Sequence, residues 1–209
     1  MGTLKQIKMQ NGLTKSKTRI IAHLKADGCI FRAGRKKTNY WIKYEVRDKK
    51  QLQEFADDIK NVYGLDVKWS TNPSGFTGKL IPLVYVRSKM IFEDLSKYGG
   101  FVSEKWSVPP EILNSTNQMK REFLRAFFDD EGTITNNEIR LYSINEQGIV
   151  QIKTLLEEFH IFSCIRKGYG KKRNVFGLVI KDIKSIKNFH EKIGFNINKK
   201  SKKLLSIIN

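Results

Sequence analysis

Cysteine and histidine are scarce in this chain of 209 residues, with two of the first and three of the second. His23, His160 and His190 stand at no spacing that would hold zinc or build a histidine-centred metal nuclease, so they are read as structural or surface residues. Cys29 and Cys164 lie far apart in apolar surroundings. That argues against a disulfide and predicts two small buried hydrophobes in a reducing compartment. No apolar run reaches the length of a membrane span, and the start MGTLKQIKMQNG lacks a signal-peptide core. Nor is there one strongly basic amphipathic helix of the kind that lies on a membrane surface. These absences predict a cytoplasmic protein with no membrane partner.

Acidic residues are also in deficit. Against 39 Lys+Arg there are only 21 Asp+Glu, a formal net charge of +18. An excess that large and spread along the whole chain points to a polyanionic partner, and nucleic acid fits better than a lipid surface.

What is present is written twice. In the first half an apolar helix over 18–28 stops at Gly28. GRKK (34–37) reads as a hairpin turn, and YWIKYEVR (40–47) alternates as a half-buried strand, with Tyr40, Ile42, Tyr44 and Val46 on one face. Leu52, Phe55, Ile59 and Val62 then predict a helix over 48–64, with Asp48 as N-cap and Gly64 as stop. A hairpin around NPSGFTG and a closing helix in SKMIFEDLSKYGG complete the half. The second half repeats the order: a helix over 119–131, a hairpin turning at Asn-Asn, a helix in NEQGIVQIKTLLEEFHI, a hairpin, and a closing helix in DIKSIKNFHEKIGF. The reading is α+β, two pseudo-symmetric αββαββα subdomains over 1–98 and 119–209, joined by a connector at 99–118 and ending in a basic helical tail.

The acids in IAHLKADG and LRAFFDDEG sit directly behind these two apolar helices and directly before a glycine. If the helices pack on a pseudo-two-fold axis, with small Ala22 and Ala126 allowing close approach, Asp27 and Glu131 meet at their ends. Two carboxylates so close cannot both ionise cheaply without a cation. Hard divalent ions such as Mg2+ or Mn2+ take oxygen ligands, and paired metals at a scissile phosphate activate water and stabilise the leaving oxygen.

The two stretches resemble the two copies of the LAGLIDADG motif, and the duplicated order resembles the single-chain LAGLIDADG homing endonucleases. The resemblance implies subdomains packed through the motif helices into a β-saddle. It makes Asp27 and Glu131 the metal-binding acids and the carbonyls of Ala26 and Asp130 further ligands. It also implies basic or polar residues near the scissile phosphates: Arg47, with Ser143 and Asn145 as its counterparts in the second copy, and Lys89 and Lys184 at the starts of the closing helices. Lys25 stands where the family has an acid, Asp130 where it has a small residue, and Arg125 is a further departure.

The outward strand faces form the expected DNA surface. One half is lined by Arg32, Trp41, Lys43, Glu45, Lys68, Ser70, Lys79, Tyr85 and Arg87, the other by Arg140, Tyr142, Arg166 and Lys181. The loops bring Arg35, Lys36 and Lys37, and Lys171, Lys172 and Arg173. Mixed basic, polar and aromatic side chains suit a major groove. The expected function is a monomeric, Mg2+-dependent, site-specific endonuclease acting on a long target in double-stranded DNA. An RNA maturase and a non-catalytic DNA-binding regulator are the alternatives on the same scaffold.

Overall fold

The computed structural model describes residues 12–75 and 77–208. The N-terminal stretch read for a signal peptide lies outside them. Among the described residues no helix is long and apolar enough to cross a membrane. The chain divides between Phe101 and Val102 into two compact units.

In the first unit the order is α1 (Lys15–Lys25), β1 (Gly28–Ala33), β2 (Asn39–Glu45), α2 (Lys49–Tyr63), β3 (Lys68–Pro73), β4 (Leu80–Arg87) and α3 (Lys89–Ser96). The antiparallel sheet runs β1-β2-β4-β3. Each helix starts where its sequence offers a cap: Thr14, Asp48 and Ser88 accept hydrogen bonds from first-turn amides. Gly64 stops α2 in the left-handed region at φ 69°. Ile20, Ile21, Leu24, Ile42, Tyr44, Leu52, Phe55, Ile59 and Val84 form the core. Within it, Lys17 Nζ lies 2.8 Å from Asp94 Oδ2, to which Tyr63 donates at 2.9 Å. Arg19 clamps Asp58 from the opposite side of α1, and burial pushes that carboxyl above its ordinary value despite the arginine.

In the second unit come α4 (Pro110–Leu113), α5 (Asn117–Glu131), β5 (Gly132–Thr135), β6 (Glu138–Ser143), α6 (Glu146–Glu157), β7 (Cys164–Tyr169), β8 (Val175–Ile180), α7 (Ile183–Lys192) and α8 (Asn198–Ile208). The sheet order, β5-β6-β8-β7, is that of the first unit. Asn136 and Asn137 both take positive φ in the β5–β6 turn, as a two-residue hairpin loop of the primed type requires. The segment before α5 packs into this unit. Trp106 is buried against Phe127, and its carbonyl accepts from the Asn145 side chain. A Cβ on Gly148 would lie 2.6 Å from the Trp106 ring.

Both cysteines are free, but each is half-buried on a strand rather than enclosed in the core. Burial still pushes the Cys29 thiol up, the direction of an unreactive side chain.

Candidate active site and nucleic-acid interface

Each unit turns sharply from its first long helix into its first strand, and the acid stands at that corner. The glycines there are strand openers and not the left-handed helix stops that the sequence predicts. Gly132 has φ −73° and ψ 141°, and both glycines begin strands. They are needed because the strand leaves so close to the helix. A Cβ on Gly28 would lie 2.8 Å from Leu24 Cα, and one on Gly132 would lie 2.5 Å from the Phe128 carbonyl oxygen. Asp27 is exposed and Glu131 half-buried. Each corner therefore carries one carboxylate next in sequence to a main-chain carbonyl, and oxygen donors are the kind that a hard divalent cation takes. Among the described residues no group of three or more His, Cys, Asp or Glu gathers as a ready-made metal site. A cation at either corner would need water or substrate oxygens to complete its shell.

The residue two places before each acid ties down the chain that leaves the closing helix. Lys25, 3% exposed, donates to the carbonyls of Tyr98 and Gly100, both at 3.0 Å. Asp129, 2% exposed, accepts from the amides of Asn196 at 3.0 Å and Ile197 at 3.4 Å.

The strand registers separate the expected basic residues. Gly28 pairs with Tyr44, so β2 ends beside the acid corner and Arg47, exposed just beyond it, stands at Asp27's end of the sheet. Trp41 pairs with Arg87 and Ile139 with Ile180, so β4 and β8 end at the far side. At roughly 3.3 Å per residue, about 13 Å of strand lies between Asp27 and the end of β4, and about 10 Å between Glu131 and the end of β8. Lys89 and Lys184 come after them and are therefore not neighbours of their own unit's acid. Nor are they equivalent. Ser88 and Asp182 are the matching N-caps, so Lys89 corresponds to Ile183 and Lys184 to Met90. Lys89 instead lies 3.6 Å from Glu93.

Ser143 and Asn145 are also corrected. Asn145 matches Asp48 as a buried N-cap, its carbonyl oxygen accepting from the Gly148 amide, and Ser143 accepts from the Asn145 amide. Arg47 thus corresponds to Ile144.

A residue that the sequence patterns do not single out does reach the second acid corner. Lys200 Nζ donates to the carbonyls of Phe128, Asp129 and Asp130 at 3.3, 2.5 and 3.3 Å, capping the end of α5. The helix α7 accounts for this. Its ten residues span about 15 Å, enough to carry the chain back from the far edge of the sheet to the acid.

On the first unit's open sheet face, pairing aligns Trp41, Lys43 and Glu45 with Arg87, Tyr85 and Leu83, and Lys68 and Ser70 with Tyr85 and Leu83. Arg32 is not there. It pairs with Tyr40 on the helix-covered side, where its guanidinium lies 5.2 Å from the Tyr40 ring and 5.3 Å from Phe92. Phe31 holds the outward position, stacked on Trp41 at 5.9 Å. In the second unit Arg140, Tyr142 and Arg166 do share a face, with Glu138 and Tyr169, and Lys181 continues the β8 register onto it.

The basic loops occupy different corners. Arg35, Lys36 and Lys37 lie in the β1–β2 turn, away from the acid, and Lys171, Lys172 and Arg173 in the β7–β8 turn, towards it. The first unit's β3–β4 turn, with exposed Lys79, is the counterpart of the latter.

Residues 118–194 match the model of the LAGLIDADG-like domain. A segment of the replication factor C small subunit of Methanocaldococcus jannaschii is 34% identical over 131 residues, 61% of this chain and 7% of that protein. The chain spans 7% to 65% of the length of the first three curated relatives it matches. Among solved structures, I-DmoI in complex with DNA and Mn is similar at TM-score 0.66 and 13% identity, covering 86% of this chain and 96% of that one. The homing endonuclease I-WcaI bound to its DNA recognition sequence is similar at TM-score 0.67 and 15% identity, covering 93% and 88%. Residues 118–194 of the second unit thus resemble a LAGLIDADG-like domain, the motif corner and strand order recur in the first unit, and the chain shares the fold of these solved structures.

Proposed function

We propose that this chain is a site-specific endonuclease that hydrolyses both strands of duplex DNA, with Asp27 and Glu131 each binding a divalent metal ion for that reaction. The observation that carries this reading is the duplicated acid corner. Two helices of different sequence end in the same carboxylate, carbonyl and tight glycine, a construction that packing alone does not require. Open sheet faces rich in Arg, Lys and Tyr, on a chain of net charge +18, supply the partner for DNA phosphates and base edges. The similar structures named as homing endonucleases with DNA and Mn, and with a recognition sequence, support the same class of substrate and ion. The segment shared with a replication factor and an RNA polymerase subunit is a small part of each, which fits a module with an activity separate from theirs.

In this reading the Asp27 and Glu131 carboxylates, with the carbonyls of Ala26 and Asp130, hold Mg2+ or Mn2+. When bound, such ions lower the pKa of the attacking water and stabilise the leaving oxygen. Arg47 organises phosphate or water beside Asp27. Lys200 takes over the part expected of Lys184, keeping a positive charge at the Asp130 carbonyl beside Glu131. The loop residues Arg35, Lys36, Lys37, Lys171, Lys172 and Arg173 contact phosphates, lengthening the target. Both acids come from one chain, so a monomer suffices.

The test is to incubate the purified chain with a random duplex library and Mg2+ and to sequence the ends produced. Double-strand ends sharing one consensus are expected. Duplex binding without cutting would instead identify a DNA-binding regulator. Retention of structured intron RNA with no duplex bound would identify a maturase.

A further inference from the structure

The two open sheet faces differ in chemistry. On the first unit, Phe31, Trp41 and Tyr85 form a continuous aromatic ladder. Phe31 and Trp41 stack with an interplanar angle of 2°, and Trp41 and Tyr85 meet at 5.0 Å. Arg87 lies over the Trp41 ring at 4.9 Å. The nearby charges satisfy one another: Lys43 Nζ is 2.5 Å from Glu45 Oε2, which also accepts from Asn72 at 3.2 Å. Phe31 remains 40% exposed at the rim of a cavity of about 290 Å³, lined also by Trp41, Leu83 and Tyr85 and by the polar Lys43, Ser70 and Asn72.

On the second unit the matching centre is a braced arginine. Arg140 Nε donates to Glu138 Oε2 at 2.8 Å, Nη2 lies 2.6 Å from the same oxygen, and Nη1 donates to the Tyr142 hydroxyl at 3.2 Å. A guanidinium has five N–H donors. These contacts use three and leave one on each Nη, the parallel fork that fits O6 and N7 of guanine. Tyr142 is held in turn by the edge of Tyr169 at 5.1 Å. The strand between them carries Gly177, where a Cβ would lie 2.7 Å from the Tyr169 ring.

We infer that the two units read different base chemistry: the Phe31–Trp41–Tyr85 ladder selects thymine methyl groups, and the Arg140 fork braced by Glu138 and Tyr142 selects guanine. The inference rests on the reading of the chain as a DNA endonuclease and deepens it. The target then has an A·T-rich segment under the first sheet and a fixed guanine under the second. Phe31 and Glu138 are specificity-determining residues, Phe31 by touching the methyl group and Glu138 by holding Arg140.

The experiment selects duplexes bound by the full chain, without divalent metal, from a random library, and repeats this with Phe31→Ser, Arg140→Ala and Glu138→Gln. Glu138→Gln is the milder variant that keeps the strand intact. Arg140→Ala is expected to lower guanine preference by about tenfold or more at one position and nowhere else. Glu138→Gln should give a smaller loss at that same position. Phe31→Ser should relax one or two thymine positions and spare the guanine. In the selected site, deoxyuridine in place of those thymines removes only the methyl groups, so it should weaken the wild type several-fold and leave Phe31→Ser unaffected. Selected sites whose preferences ignore all three variants, or wild-type binding indifferent to deoxyuridine, overturn the inference while leaving a DNA-binding protein in place. A wild-type chain that enriches no duplex at all overturns it together with the proposed function.

Discussion

At the same place in the two motif helices, two residues before the acid, one unit carries Lys25 and the other Asp129. Opposite charges there do the same work. After α3 the first unit's chain offers carbonyls, those of Tyr98 and Gly100, and only a donor can bind them. After α7 the second unit's chain is about to begin α8 and offers the amides of Asn196 and Ile197, which only an acceptor can bind. Lys25 is therefore accounted for by the carbonyls of the chain leaving α3. In both units the side chain complements the returning chain, and the sign of its charge matches the backbone groups that chain presents.

Exchanging the charges is the hardest test of that comparison. Asp129→Lys sets an ammonium against two amide donors in a site closed to water and should cost more than about 3 kcal/mol. Lys25→Met leaves two carbonyls unpaired but introduces no like-signed contact, and should cost about 2 kcal/mol. Urea unfolding midpoints measure both. Equal losses would mean that lost packing, rather than hydrogen-bond polarity, governs the position.

A smaller difference is expected at the two glycines. In Gly28→Ala part of the collision is with the Leu24 side chain, which can turn away, whereas in Gly132→Ala the nearest atom is the Phe128 carbonyl oxygen. Overpacking costs of about 1–3 kcal/mol apply to both, with Gly132→Ala at the upper end and Gly28→Ala at the lower. Thermal melting of the two variants ranks them directly, and a larger shift for Gly28→Ala would reverse the account of the corners.

Most of the fold was legible because local signals agreed with one another. Alternation in 40–47, the cap at Asp48, and the Asn136–Asn137 turn each named an element that the structure contains. The acid corners were legible too, although the reason for their glycines was not, since close approach of a helix backbone leaves no local pattern.

The failures came from register and direction. The segment GCIFRA does not alternate, so nothing local tells Arg32 from Phe31. A one-residue shift moves every side chain to the opposite face, and the pairing of Phe31 with Trp41 decides it. Lys184 was assigned to the acid from its place at a helix start, but antiparallel pairing of β6 with β8 carries that start to the far edge. Lys200 could have been found by counting. A strand leading away from the acid and then a helix of similar length bring the chain back, and the first lysines after that helix are the ones in reach.

The central claim is that Asp27 and Glu131 serve one reaction. The direct measurement is cleavage of a selected duplex by Asp27→Asn and Glu131→Gln, each isosteric with the acid it replaces, alongside duplex affinity without metal. Loss of double-strand breaks by at least about 100-fold in each variant, with affinity within a few-fold of wild type, is the predicted result. Both variants cutting both strands at the wild-type rate would contradict the account, leaving the paired corners as structural turns and the active site elsewhere.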